Sequence, residues 1–325
     1  MADVAVVGGG ISGVSCAGAL AELGCTVDLY DRGHRLGGRL ATQTLRDTGT
    51  AYDGRLVDVG ASYLTVDDAR FGNVVGDWIG RGLLCPWTDA FHIADGSGVI
   101  GTKVGPMRYA APLGLRSLVE DLAGALPSDL VEIRHPFDVT GIDVGPDGVR
   151  IADRDYRAVA LCGPDPQMQA LIPVAEAPMW EPVLALVVVY DQRTWDFDGV
   201  FVNDDPVLTF VADDGTRRGD DAPVLVAHST PVWAAAHLAD PLVAAPAMLA
   251  SLGRLTGSAS ASWFTVKRWT YARPMQARPE AFGFETFGLE GVIGRAGDAW
   301  HGVPRTQSAW VSGDALGRAM GDSLS

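Results

Sequence analysis

Val4-Ala5-Val6-Val7-Gly8-Gly9-Gly10-Ile11-Ser12-Gly13 begins the most informative stretch of this chain, and Thr26-Val27-Asp28-Leu29-Tyr30-Asp31 ends it. The four apolar residues before Gly8 read as a strand buried on both faces, as in a parallel sheet. Residues 11–23, rich in Ala, Leu and small side chains, read as a helix. Thr26–Asp31 alternates and reads as a second strand. The result is a β-α-β unit within about thirty residues. Its glycines satisfy G-x-G-x-x-G, and Asp31 follows about 18 residues after Gly13. Gly8 makes the tight turn, Gly10 lets the backbone approach a pyrophosphate, and Gly13 permits close helix–strand packing. Ile11 and Ser12 open the helix, whose free N–H groups point at the phosphates. Asp31, with Arg32 beside it, is placed to accept a hydrogen bond from an adenosine ribose. The alternative is a glycine-rich turn that binds nothing; the strand, helix and acid in their places argue against it.

The rest of the chain is consistent with a large globular protein. Its 325 residues predict about two domains. Hydrophobic residues make up 47%, which excludes a disordered chain, and four scattered cysteines exclude a disulfide scaffold. No C-x-x-C pair suggests zinc or a dithiol centre. A net charge of −15 speaks against nucleic acid or an anionic membrane as partner. No apolar run approaches about 18 residues, and the N-terminus lacks the positive region of a signal peptide. The expectation is a soluble, cytoplasmic protein.

Helices are expected over 70–83, 114–126 and 241–255, the last with Pro246 as a kink or restart. Another is expected from Pro304 to Met320, with Pro304 in its first turn. Short strands are expected between Leu130 and Leu161, with a Pro146-Asp147-Gly148 turn. Val183–Tyr190, Val207–Val211, Val224–His228 and Val266–Tyr271 suggest a mostly β second domain, and Gly291–Ala296 a last strand.

A second motif, Arg35-Leu36-Gly37-Gly38-Arg39-Leu40-Ala41-Thr42, follows the second strand directly. Its glycines allow backbone contact and its arginines can neutralise phosphate. Two further segments stand out: Asp58-Val59-Gly60-Ala61-Ser62-Tyr63, and Gly294-Arg295-Ala296-Gly297-Asp298-Ala299-Trp300 leading to Arg305-Thr306-Gln307-Ser308-Ala309.

Together these resemble the fingerprints of the flavin-containing amine-oxidase superfamily. Arg268-Trp269-Thr270-Tyr271-Ala272-Arg273-Pro274 and His228-Ser229-Thr230-Pro231-Val232-Trp233 narrow the resemblance to the renalase group and its bacterial members. The resemblance implies an α/β fold like that of p-hydroxybenzoate hydroxylase. In it a Rossmann-type FAD domain (1–75, 110–170 and 285–325) carries an inserted, mostly β substrate domain (76–109 and 171–284). It implies non-covalent FAD, with cofactor contacts from Gly8, Gly10, Ile11, Ser12, Gly13, Asp31, Arg32, Gly37, Gly38, Arg39, Ala61, Ser62, Val139, Gly297, Asp298, Thr306, Gln307 and Ala309. It further implies oxidation of 2- and 6-dihydro isomers of NAD(P) to NAD(P)⁺, with O2 reduced to H2O2.

The sequence departs from the pattern in two places. Asp31 stands where flavoproteins more often have Glu, and the segment after Arg305 only approximates that of the relatives.

Trp269, Tyr271 and His301 are the candidates for shaping the reaction site, with Trp300 beside them. Trp269 and Tyr271 also read as core aromatics, and His301 as a structural histidine. Arg273 and Arg278 could meet an anionic dinucleotide or be solvated loop residues. Lys267 could stand near flavin N5 or be a solvated strand residue. No metal site is expected, and the sequence carries no second G-x-G-x-x-G. The absence of any cysteine after Cys162 excludes a C-terminal cysteinyl-flavin link. An amine oxidase, a desaturase, or a carrier that has lost its redox activity on the same scaffold are the competing readings.

Overall fold

The computed structural model describes residues 2–146, 148–172, 179–258, 260–287 and 291–325. Two sheets organise it. The first has six strands in the order Gly283–Phe287, Gly291–Arg295, Ala158–Leu161, Val4–Val7, Val27–Tyr30 and Val131–Arg134. All of its pairs are parallel except the first. Val4 and Val6 face the core shared with the helices Ile11–Glu22, Arg116–Gly124 and Thr306–Leu324. Ala5 and Val7 face the opposite way, against the small meander of Asp143–Gly145, Gly148–Ile151 and Arg154–Tyr156. Coverage on both faces explains an unbroken apolar run instead of an alternating one. Each fully buried Val or Leu contributes about 1.5–3 kcal/mol before the entropy of ordering the chain.

The Thr306–Leu324 helix lies unusually close to the first helix. A Cβ on Gly313 would come within 2.0 Å of the Ser12 carbonyl oxygen, and one on Gly317 within 2.5 Å of that of Cys16. This contact brings the C-terminal end of the chain to the start of the first helix. Pro304 precedes this helix instead of standing in its first turn: the helix begins at Thr306, with Arg305 extended at its N-cap.

The second sheet has seven strands in the order Trp263–Pro274, Trp180–Val189, Val224–Ser229, Leu208–Asp213, Gly199–Val202, Cys85–Asp95 and Gly98–Ala110. Leu184, Leu186, Val188, Leu225 and Ala227 face the Ala245–Thr256 helix. Ala185, Val187, Val189, Val224 and Val226 face back towards Ala41, Leu45, Val57 and Val59. Pro246 sits in the first turn of that helix, after a short 3-10 turn over Pro241–Ala244, so it restarts the helix.

The long hairpin Cys85–Ala110 and the strand Gly199–Val202 carry weaker patterns and were not expected. Strand Gly98–Ala110 is an edge, exposed over much of its length, so its side chains need not alternate. Asp147, centre of the expected turn, lies outside the described residues. The expected boundary at 75/76 falls inside the helix Ala69–Gly80, whose Phe71, Val75 and Trp78 pack in the core of the first sheet. The boundary at 284/285 falls inside a strand of that same sheet.

Among the described residues no helix is long and apolar enough to cross a membrane.

Candidate functional site

A cleft of about 880 Å³ runs from the glycine turn after the first strand to the inner face of the second sheet. At its first end Gly8 has φ +112°, and a Cβ there would lie 2.7 Å from the Cys162 carbonyl oxygen. Gly13 does not line the cleft. Its missing Cβ would lie 1.9 Å from the Gly8 carbonyl oxygen, so this glycine serves packing. Gly10 differs from both: a Cβ there would meet no protein atom within 4 Å, because it would project into open space. The Gly10 position therefore leaves room that the protein itself does not fill, as a bound phosphate requires. Ser12 Oγ is buried there without a hydrogen-bond partner.

Asp31 is held from two sides. Its carboxylate accepts N–H bonds from Gly9 at 2.6 Å and Gly33 at 2.7 Å, one to each oxygen. Each oxygen keeps a lone pair with which to accept a hydroxyl. Arg32, Phe137 and Val139 line the same end.

The glycine pair of the second motif docks onto the first. Gly37 N–H bonds the Gly9 carbonyl at 2.9 Å. A Cβ on Gly38 would be 3.5 Å from Gly10 Cα. Arg39 turns to Asp298 and makes two hydrogen bonds of 2.6 Å. Its guanidinium also lies 4.9 Å from the centre of the Trp180 ring. Arg35 forms a two-pronged pair with Glu120 at 2.8 Å.

Gly297, Asp298, Thr306 and Ala309 line the cleft with the N-terminus of the last helix. Gln307 does not. Its side-chain oxygen accepts the N–H groups of Asp67 and Asp68, so it is spent on fixing the chain that enters the Ala69–Gly80 helix.

The far wall belongs to the second sheet. Cross-strand pairing sets Lys267 beside Ala185, Ala185 beside His228, His228 beside Phe210, and Phe210 beside Phe201. Directly paired residues share a face, and this row faces the cleft, which Lys267, His228, Phe210 and Phe201 line. Trp269 and Tyr271 lie on the same wall. The Trp269 indole N–H donates to the Val59 carbonyl at 2.7 Å, which fixes its plane. The Lys267 ammonium sits 5.8 Å from the centre of the Trp269 ring.

His228 is the least expected member of this wall. Burial, with Arg217 and Arg273 nearby, pushes its pKa down to about 4, so the imidazole is neutral at pH 7. Its Nε2 is buried without a hydrogen-bond partner.

The expected cofactor residues line the cleft, apart from Gly13 and Gln307. Among the reaction-site candidates, Trp269 and Tyr271 reach it and His301 does not. His301 is exposed at φ +62°, and its N–H donates to the Glu280 carbonyl, so its ring is off the wall. Trp300 is buried behind the cleft with the Arg278 guanidinium 4.3 Å from its ring centre, and Arg278 pairs with Asp165. Arg273 does line the cleft, paired with Glu181 at 2.6 Å.

Sequence reasoning passed over Tyr63, Phe201, Phe210, His228 and Arg116 as site residues. Tyr63 directly follows the expected Ser62, whereas the phenylalanines and His228 depend on strand register, which no local pattern reveals. A second hollow of about 610 Å³ beside the Ala245–Thr256 helix carries only Arg254 as a charged residue, and Arg254 is tied to Asp205. It holds no comparable chemistry. Among the described residues no cluster of His, Cys, Asp or Glu could hold a metal ion.

Comparison with known proteins places this architecture. Residues 6–76 match the NAD(P)-binding Rossmann-like domain family. Over 64 residues the chain is 45% identical to amine oxidase [flavin-containing] A of Sus scrofa, a match covering 20% of this chain and 11% of that relative. Among solved structures, cyclohexylamine oxidase from Brevibacterium oxydans IH-35A superposes with a TM-score of 0.73 at 16% identity, covering 99% of both chains. A protein of Exiguobacterium sp. 255-15, assigned as a protoporphyrinogen oxidase, gives 0.75 at 16%, covering 99% of this chain and 98% of the other. Wild-type putrescine oxidase bound to putrescine gives 0.71 at 14%, covering 99% and 98%. The chain thus has the amine-oxidase fold: a Rossmann-like dinucleotide-binding domain joined to a β-rich domain.

Proposed function

We propose that this protein is an FAD-dependent oxidase of the renalase type. It takes a hydride from 2- or 6-dihydro isomers of NAD(P) and passes the electrons to O2. The observation that carries this reading is one cleft joining a dinucleotide cradle to an aromatic wall. Gly8, Gly10, Ser12, Asp31, Gly37, Gly38, Gly297, Asp298 and the start of the last helix hold FAD without a covalent bond. The open space at Gly10 and the unpartnered Ser12 hydroxyl suit its phosphates. When bound, the flavin supplies a hydride acceptor at N5 and, with O2, yields hydrogen peroxide; the protein supplies position and exclusion of water.

The choice of substrate rests on charge. On the second-sheet wall the Lys267 ammonium lines the cleft and, among the described residues, no carboxylate does; Arg273 there is paired with Glu181, and Arg268, opposite Leu184, turns to the Leu238 carbonyl on the other face. Such a wall suits an anionic dinucleotide better than a protonated amine. Trp269 and Tyr271 stack the dihydropyridine, which already carries a labile hydride and needs only to be held about 3–3.5 Å from its acceptor. Neutral His228 adds a hydrogen-bonding group without adding a charge.

The aromatic pair and the amine-oxidase neighbours favour a second reading, oxidation of a small amine. Anaerobic stopped-flow mixing separates the two. Rapid bleaching of the yellow flavin by 2- or 6-dihydro-NAD(P), with slow or no bleaching by monoamines, is expected. Bleaching by a monoamine alone would establish the second reading.

A further inference from the structure

Among the described residues the cleft holds one arginine that is partly buried and yet has no ion-pair partner. Arg35 is paired with Glu120, Arg39 with Asp298, Arg273 with Glu181 and Arg305 with Asp67. Arg32 and Arg268 are exposed to water, and Arg268 also donates to the Leu238 carbonyl. Arg116 lines the same cleft and is partly buried, and among the described residues its guanidinium has no ion-pair or hydrogen-bond partner. Its Nε is buried with no partner at all. A guanidinium partly withdrawn from water and left unpaired is costly unless an anion joins it.

Its position identifies the anion. Arg116 packs against the Gly37 turn: a Cβ on Gly37 would come 3.1 Å from Arg116 Cγ and 3.5 Å from Nε. That turn is bonded to Gly9, and Gly38 lies against Gly10. Arg116, the second glycine pair and the first glycine turn therefore form one continuous surface.

The backbone beneath Arg116 is fixed. Leu115 N–H donates to Asp58 Oδ1 at 3.0 Å, and Arg116 N–H to Thr42 Oγ1 at 3.3 Å. Thr42 in turn donates to Asp58 Oδ1 at 2.6 Å, and Arg218 pairs with Asp58 at 3.0 Å. Asp58 does not itself line the cleft. It holds the turn that presents Arg116, so little ordering cost remains when a ligand binds.

We infer that Arg116 binds the pyrophosphate of the dinucleotide cofactor, the part for which the sequence points to Arg35 and Arg39. The two arginines of the R-x-G-G-R motif are already committed to carboxylates, and the free positive charge comes from a different element. This inference rests on the flavin reading of the cleft.

The test removes flavin from the purified protein and titrates the apoprotein with FAD, following flavin fluorescence at several salt concentrations. R116M and R116Q, neutral residues of different shape, are expected to raise the FAD Kd about ten- to hundred-fold, the loss of a charge-assisted hydrogen bond. They should also flatten its salt dependence. R116K should recover part of both, because it keeps the charge but not the planar fork. Unchanged Kd in both neutral variants would overturn the inference. So would weaker binding with an unchanged salt slope, which marks a packing role. Wild-type apoprotein that takes up no FAD would refute the flavin reading itself.

Discussion

Arg39 and Asp298 stand 259 residues apart in the chain and meet through two 2.6 Å hydrogen bonds at the wall of the cleft. The pair joins the glycine motif of the N-terminal third to the last strand–helix connection. It also makes each residue's contribution conditional on the other. Asp298→Ala removes an acceptor and strands the Arg39 guanidinium. Flavin affinity should fall by about 1.5–3 kcal/mol, the range for a hydrogen bond to a charged group. In a double-mutant cycle with Arg39→Met, measured as FAD Kd, the losses should be clearly less than additive. Full additivity would show that the two residues act independently on the cofactor.

The two glycines of the first motif should fail in different ways. Gly10→Val places a side chain in open space, so the apoprotein should melt close to wild type while FAD binding is lost. Gly13→Val meets the Gly8 carbonyl and must push the first helix off the sheet. It should unfold the domain or lower its melting temperature by many degrees. A Gly10→Val protein that binds FAD normally would refute the phosphate cradle.

His228 gives the protein a pH signature. Its folded pKa is about 4, below the ordinary value of 6.5. The unfolded chain therefore binds a proton first as pH falls. The stability this imidazole contributes is complete above pH 6.5 and is lost as pH drops towards 4. Urea unfolding between pH 4.5 and 7.5 should show wild type losing more stability with acid than His228→Gln. Parallel slopes for the two proteins would contradict a depressed pKa.

Trp269 is fixed by one bond to Val59. Trp269→Phe keeps an aromatic ring but loses that anchor, at a cost of about 0.5–1.5 kcal/mol in stability. The larger expected effect is a fall in the rate of flavin reduction, with a smaller change in substrate Kd, because a loosened ring aligns the substrate less well. Anaerobic single-turnover measurements separate rate from binding. A change confined to Kd would place Trp269 in binding alone.

The first strand, helix and second strand were legible because their determinants are local. Four apolar residues, a glycine turn and a helix of small residues state the β-α-β unit within one short stretch. Gly8 and Gly13 need only neighbours close along the chain or one strand away. The approach of the two chain ends could be expected, since motifs for one cofactor must converge, but the Arg39–Asp298 bond could not be read from either segment. Side-chain partners across 259 residues depend on how the last helix packs on the first. Strand register decided that His228 faces the cleft beside Phe210, because a slip of one residue would turn it to the opposite face. His301 looked well placed beside Asp298, yet a left-handed backbone turns it away. Arg116 carries no motif at all. Its role follows from charges that only the folded chain brings together: the rival arginines are paired with carboxylates or exposed, whereas this one is partly buried with its Nε unpartnered.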